Sequence, residues 1–223
     1  MTNEAEVIIF RHPTQSAGQS VPLTFRRANG YGLVSVIEGG VLMEHNGVSI
    51  DQLQATVEAV TTQPDLARFE FRSETSWQQG GQSETRIQSF YGTGQEDRSR
   101  TEPFVVVSDE PAVLLGTNKG PNAVELVLAA LASCLSVGIA YNAAARGIAL
   151  RTLTVNISGT LDLHAFLGLS DTVRPGYEGI QVRYHLESDA TPDQISDLLT
   201  HVQKTSPVLD VIRHPVPVTL VVE

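Results

Sequence analysis

The sequence predicts a domain of mixed strands and helices, and three observations carry that reading. Short segments such as RFEFRSETSW and IQVRYHLES alternate apolar and polar residues, the period of a half-buried strand. One long stretch, NAVELVLAALASCLSVGIAYNAAARG, is apolar around its whole circumference and carries helix signals at both ends. A third segment, TPDQISDLLTHVQKT, opens on a threonine and proline that suit a helix start. From residue 67 the predicted order is three strands, the long helix, two strands, two helices and a closing strand.

Residues 1–66 read as an added segment, broken by Pro13, Gly18, Pro22, Gly30, Gly32 and the pair Gly39-Gly40. Val34 and Val36, then Val41 and Met43, predict two short strands about that glycine pair. Ile50, Leu53, Val57 and Val60 recur at helical spacing. Ser49 with Gln52 three residues on is a capping-box start, and Pro64 ends this helix. His12 and His45 have no second ligand at metal spacing and are read as surface residues.

From Ala67 the strands begin. Phe69 and Phe71 alternate with polar partners, QQGGQ supplies a glycine turn, and SETRIQSFY returns to complete a hairpin. EPFVVVSDEPAVLL is a third strand, broken at Pro111. GTNKGPN is a loop whose Asn122 caps the long helix, with Glu125 reaching back. Gly147 is the expected stop, giving a helix of about 26 residues. RTLTVNISGTLDLHAF follows as a strand with Leu153, Val155 and Ile157 on one face, and IQVRYHLES is its hairpin partner. Thr191, Pro192 and Asp193 open the next helix. Ser206-Pro207 opens a short one, and PVPVTLVVE closes as a strand.

Composition excludes several classes. The 223 residues hold 25 acids against 15 bases, a net charge of −10, so no basic face for nucleic acid or an anionic membrane is expected. A single cysteine excludes an internal disulfide and a cysteine-based zinc site. No metal or cofactor is expected. The apolar run around Cys134 is interrupted by Ser133 and Ser136, lacks flanking Lys or Arg clusters, and falls short of the ~20 residues of a span. It is expected to be a buried core helix, and the protein to be soluble and cytoplasmic.

Cys134 lies near the middle of that helix. A thiol there gains nothing from a helix N-terminus, and an apolar setting disfavours its anion. It is either an inert small hydrophobe or a reactive sulfur that needs a charged neighbour. Other combinations are weaker. Ser133 with His164 or His201 lacks a nucleophile-elbow motif. Asp162 and His164, at period two, read as a solvated pair on a strand face. His185 reads as a surface residue. The glycine-rich loop before the helix lacks the Lys-Ser/Thr of a phosphate cradle, and Lys119 reads as a solvated loop lysine.

Four motifs together resemble the OsmC/Ohr family of osmotically inducible and organic hydroperoxide resistance proteins. They are GPNAVELVLAALASC, Arg146-Gly147-Ile148, GTLDLHAFLGL and TSPVLDVIRHPVPV. The resemblance covers about residues 67–223 and leaves 1–66 as an N-terminal extension. It implies an α+β fold, three strands, a long buried central helix, two strands, two helices and a strand, built as an intertwined homodimer. It also implies a peroxide-attacking cysteine, resolved by a second cysteine and recycled by a dithiol.

Carried over residue by residue, Cys134 matches the attacking cysteine. The resolving cysteine is replaced by Ser206. Gln82 stands where an arginine in the first hairpin turn is implied, and Arg86, on the same strand face, is the candidate substitute. The implied glutamate, ten residues before the cysteine, falls on Val124, and Glu125 is one residue late. Nine residues of helix put Glu125 ~13 Å from Cys134 on the opposite face. It can therefore serve Cys134 only across a dimer interface or after unwinding.

Three functions follow. One is a thiol-dependent peroxidase acting on a small-molecule hydroperoxide through Cys134, with Arg86 and Glu125 in support and an external thiol reductant. The second is a non-enzymatic module binding an apolar small molecule at the dimer interface. The third leaves Cys134 as an inert core residue.

Overall fold

The computed structural model describes residues 43–222 and the backbone of 24–27 and 33–36. The breaks read at Pro13, Gly18, Pro22, Gly30, Gly32 and Gly39-Gly40, the strand position Val41 and the surface residue His12 lie outside the described residues. The chain folds as two compact units. One holds Ser49–Pro121 with the residues before Glu44, and the other holds Glu44–Val48 with Asn122 onward.

In the first unit β1 (Thr24–Arg27) pairs antiparallel with β2 (Leu33–Val36). Val34 and Val36 thus lie in a strand, but its described partner precedes it. Met43 lies outside any strand. The next hairpin along the chain is instead β3 (Glu44–His45) and β4 (Val48–Ser49), whose residues Glu44–Val48 belong to the second unit, turning at Asn46 and Gly47, both at positive φ. That is the Asn-Gly pair a two-residue turn favours. Helix α1 (Ile50–Thr62) starts at Ser49, whose side chain accepts from the Gln52 N–H. It gives way to a short 3-10 turn, Pro64–Ala67.

The strands that follow are β5 (Glu70–Phe71), β6 (Glu74–Gln79), β7 (Gln82–Ile87), β8 (Phe90–Gly92), β9 (Gln95–Asp97) and β10 (Phe104–Ser108). They form two three-stranded sheets, in the orders β10-β7-β6 and β5-β8-β9. The expected hairpin is β6–β7. The second small sheet has no counterpart in the sequence pattern; it sets the Phe71 and Phe90 rings at a tilt with centroids 5.4 Å apart and turns at Thr93-Gly94, both at positive φ.

The second unit is built on α2 (Ala123–Ala145). Asn122 and Glu125 close the predicted capping box, each side chain bonding the other's backbone N–H at 2.9 Å. Gly147, at φ 67°, follows the helix end. Strands β11 (Leu150–Thr160) and β12 (Gly179–Ser188) form a long antiparallel hairpin. Helices α3 (Pro192–Thr205) and α4 (Pro207–Arg213) complete the unit. Leu131, Leu135, Ile139 and Ala143 recur every fourth residue on α2 and are buried with Ile148, Leu198, Val202 and Leu209. Leu153, Ile157, Ile180 and Val182 of the hairpin pack against this cluster. Each buried branched side chain contributes about 1.5–3 kcal/mol, so this stripe holds the hairpin and both later helices to α2.

Two expectations change. The long helix is buried along one face only in the single chain, while Ala129, Ala130, Ser133, Val137 and Tyr141 are exposed. By length and composition it is also apolar enough to cross a membrane. The closing strand does not form: residues 215–222 carry no strand, and Leu220 is 91% exposed. Its apolar alternation is real, but a strand exists only where neighbouring backbone takes up its N–H and C=O groups.

Candidate functional site

Cys134 sits mid-way along α2 and is half-buried. Its sulfur faces Ser206, with Sγ and Oγ 3.2 Å apart. Ser206 is held from both sides, since it ends α3 and caps α4. Its Oγ accepts from the Leu209 N–H at 3.3 Å, and Pro207 at the first position of α4 fixes the turn. One turn beyond Cys134, Gly138 brings α2 and α3 together. A Cβ there would lie 2.9 Å from Cγ1 of Val202. The site therefore rests on a close helix crossing that only a residue without a side chain permits.

The other predicted site residues are placed as follows. Glu125 is committed to the capping box at the start of α2. Val124, at the position implied for glutamate, offers its carbonyl to the Tyr177 hydroxyl at 2.8 Å. Burial, and then the Glu125 charge, push the Tyr177 phenol above its ordinary value. Gly159 makes room for this ring, because a Cβ there would lie 2.6 Å from it. Tyr177 thereby pins the β11–β12 loop to the start of α2. Nothing in its local pattern, RPGY, marks that role.

Arg86 lies in the first unit, on β7, and pairs with Glu84 of the same strand at 2.9 Å. Gln82 donates to the Thr117 hydroxyl at 2.7 Å, and Thr117 in turn donates to Asp109 at 2.6 Å. No local sequence signal marks Asp109, yet it is 2% exposed. It also accepts the N–H groups of Glu110, Thr117 and Lys119. These bonds, the Thr117 hydroxyl first, outweigh burial and hold its carboxyl at about 2. Lys119 is thus engaged through its backbone. The loop is tight, for a Cβ on Gly116 would fall 1.8 Å from the Glu110 carbonyl.

Asp162 and His164 do pair, at 2.5 Å, but beyond the end of β11 and not on its face. The chain turns there through bonds such as Leu169 N–H to the His164 carbonyl. The His164 backbone N–H and then its ring hold the Asp162 carboxyl below its usual range. Both side chains are open to solvent. His185 is exposed beside Glu187, and His201 is exposed on α3. Among the described residues no three His, Cys, Asp or Glu side chains converge as a metal site.

A protein-family profile described as OsmC-like protein matches residues 116–221. Among solved structures, an OsmC-like protein of Mycoplasma pneumoniae superposes with a TM-score of 0.50 at 16% identity, over 66% of this chain and 89% of that one. An organic hydroperoxide resistance protein of Legionella pneumophila superposes with a TM-score of 0.46 at 17% identity, over 64% and 88%. No curated protein matches the chain.

Proposed function

From the match of residues 116–221 to an OsmC-like family profile, we propose that this chain is a one-cysteine, thiol-dependent reductase of organic hydroperoxides. Cys134 is its reacting sulfur. The thiolate attacks the outer oxygen of ROOH, and the O–O bond breaks. The alkoxide takes a proton and leaves as ROH, and the sulfur keeps one oxygen as a sulfenic acid. An external thiol then displaces water to give a mixed disulfide. A second thiol frees Cys134 and carries both sulfurs away as its own disulfide.

The observation supporting this reading is the pairing of Cys134 with Ser206 at 3.2 Å. A hydroxyl occupies the place where the family resemblance implies a resolving thiol. Ser206 cannot form a disulfide, so reduction has to come from outside. Arg86 is the proposed cation for the thiolate and would have to leave Glu84 to serve it. Glu125, at the start of α2, would serve a reacting sulfur only across a dimer interface or after the first turn of α2 unwinds.

The test is hydroperoxide consumption with monothiols and with dithiols, comparing the wild type with Cys134→Ser. Consumption that needs Cys134 and runs on monothiols supports the reading. Equal background rates for both proteins would move the assignment to a non-enzymatic module that holds an apolar small molecule.

A further inference from the structure

The Ser206 hydroxyl has one proton to give, and its surroundings decide where that proton goes. A backbone amide can only donate, so the Leu209 N–H takes an oxygen lone pair of Ser206. The partner on the other side is the Cys134 sulfur at 3.2 Å. While the sulfur is a thiol, either atom can donate. Once it loses its proton it can only accept, and the Ser206 proton must point at it. Ser206 is 6% exposed, so water hardly competes for that proton.

We infer that Ser206 is a positioning residue for Cys134, donating its hydroxyl proton to the thiolate and favouring the ionised form. The inference rests on the reading of Cys134 as a reacting thiol. A hydrogen bond to an ion is roughly twice as strong as one between neutral groups. The residue at the missing resolving position thus takes a second role. It gives up resolution and gains a fixed donor in contact with the nucleophile. Its location supports this. The backbone of Ser206 is set by the end of one helix and the start of the next, and the Leu209 N–H fixes the hydroxyl's remaining freedom.

The test follows iodoacetamide alkylation of Cys134 against pH in the wild type, Ser206→Ala, Ser206→Gly and Ser206→Thr. Glycine serves almost as well as serine at a helix start, so Ser206→Gly removes the hydroxyl while leaving α4 capped. The profiles of the Ala and Gly variants should move to higher pH by about one unit, or about tenfold in rate at a fixed pH on the rising limb. Ser206→Thr, which keeps the hydroxyl, should overlay the wild type. Superimposed wild-type and Ser206→Gly profiles, with circular dichroism unchanged, would overturn the inference. So would a thiol that alkylates only after unfolding. Because alkylation needs no peroxide, displaced profiles in a protein that consumes no hydroperoxide would uphold Ser206's role and remove the reductase reading.

Discussion

Gly138 of α2 faces Val202 of α3 so closely that an added methyl would meet Cγ1 at 2.9 Å. Val202 is 1% exposed, and β-branched side chains in helices hold one rotamer strongly, so it has little freedom to yield. Overpacking of this kind costs about 1–3 kcal/mol. The better helix propensity of alanine returns about 1 kcal/mol. Gly138→Ala should therefore be destabilised by about 1 kcal/mol net in urea melts. In a Val202→Ala background the same change should become stabilising. An equal effect in both backgrounds would show that the crossing is not limited by this contact.

Asn46 makes a long-range contact of a different kind. Its side-chain amide donates to the Ile148 carbonyl and accepts from the Leu150 N–H, both at 2.9 Å, where the β11–β12 register shifts. Leaving these partly buried groups unpaired should cost about 1–3 kcal/mol in Asn46→Ala. We propose that residues 67–223 fold without the preceding segment and that deleting residues 1–66 costs about this much. A deletion protein that has lost cooperative unfolding would show that the segment completes the core.

Asp109 should make the first unit acid-sensitive in a defined window. Its carboxyl is held at about 2, below the ordinary ~3.9. A depressed carboxylate contributes stability that is fully present above its unfolded value and is lost as pH falls through the folded one. Thermal melts from pH 5 down to pH 2 should therefore fall more steeply for the wild type than for Asp109→Asn. Parallel curves would remove Asp109 as the organising group of its loop.

The exposed apolar face of α2, with Val137 at 54% and Tyr141 at 49% exposure, and the unpaired residues 215–222 call for a cover. We propose a second copy of this chain, since the family resemblance implies an intertwined homodimer and a symmetric pair buries the same face twice. Sedimentation at micromolar concentration should give a dimer. A stable monomer would contradict it.

Local signals in the sequence were sufficient for α2, α3 and α4. Asn122 with Glu125, Thr191 with Pro192, and Ser206-Pro207 mark starts that the structure keeps. Pairings across long separations were not legible. Asn46 meets residues 102 and 104 positions away, and only its Asn-Gly turn was there to be read. The closing strand failed for the same reason, because alternation predicts a face but not a neighbour. At the site, the family resemblance pointed to Cys134 and position 206, while their contact across 72 residues is a property of the fold. The Arg86–Glu84 pair lies two residues apart on one strand and could have been anticipated from spacing alone.

The most direct test of the central claim is intact-protein mass spectrometry after brief exposure of the folded protein to a range of organic hydroperoxides. The account predicts one added oxygen on Cys134, removed by an external monothiol and absent from Cys134→Ser. A folded protein whose Cys134 stays unmodified by every peroxide would contradict it.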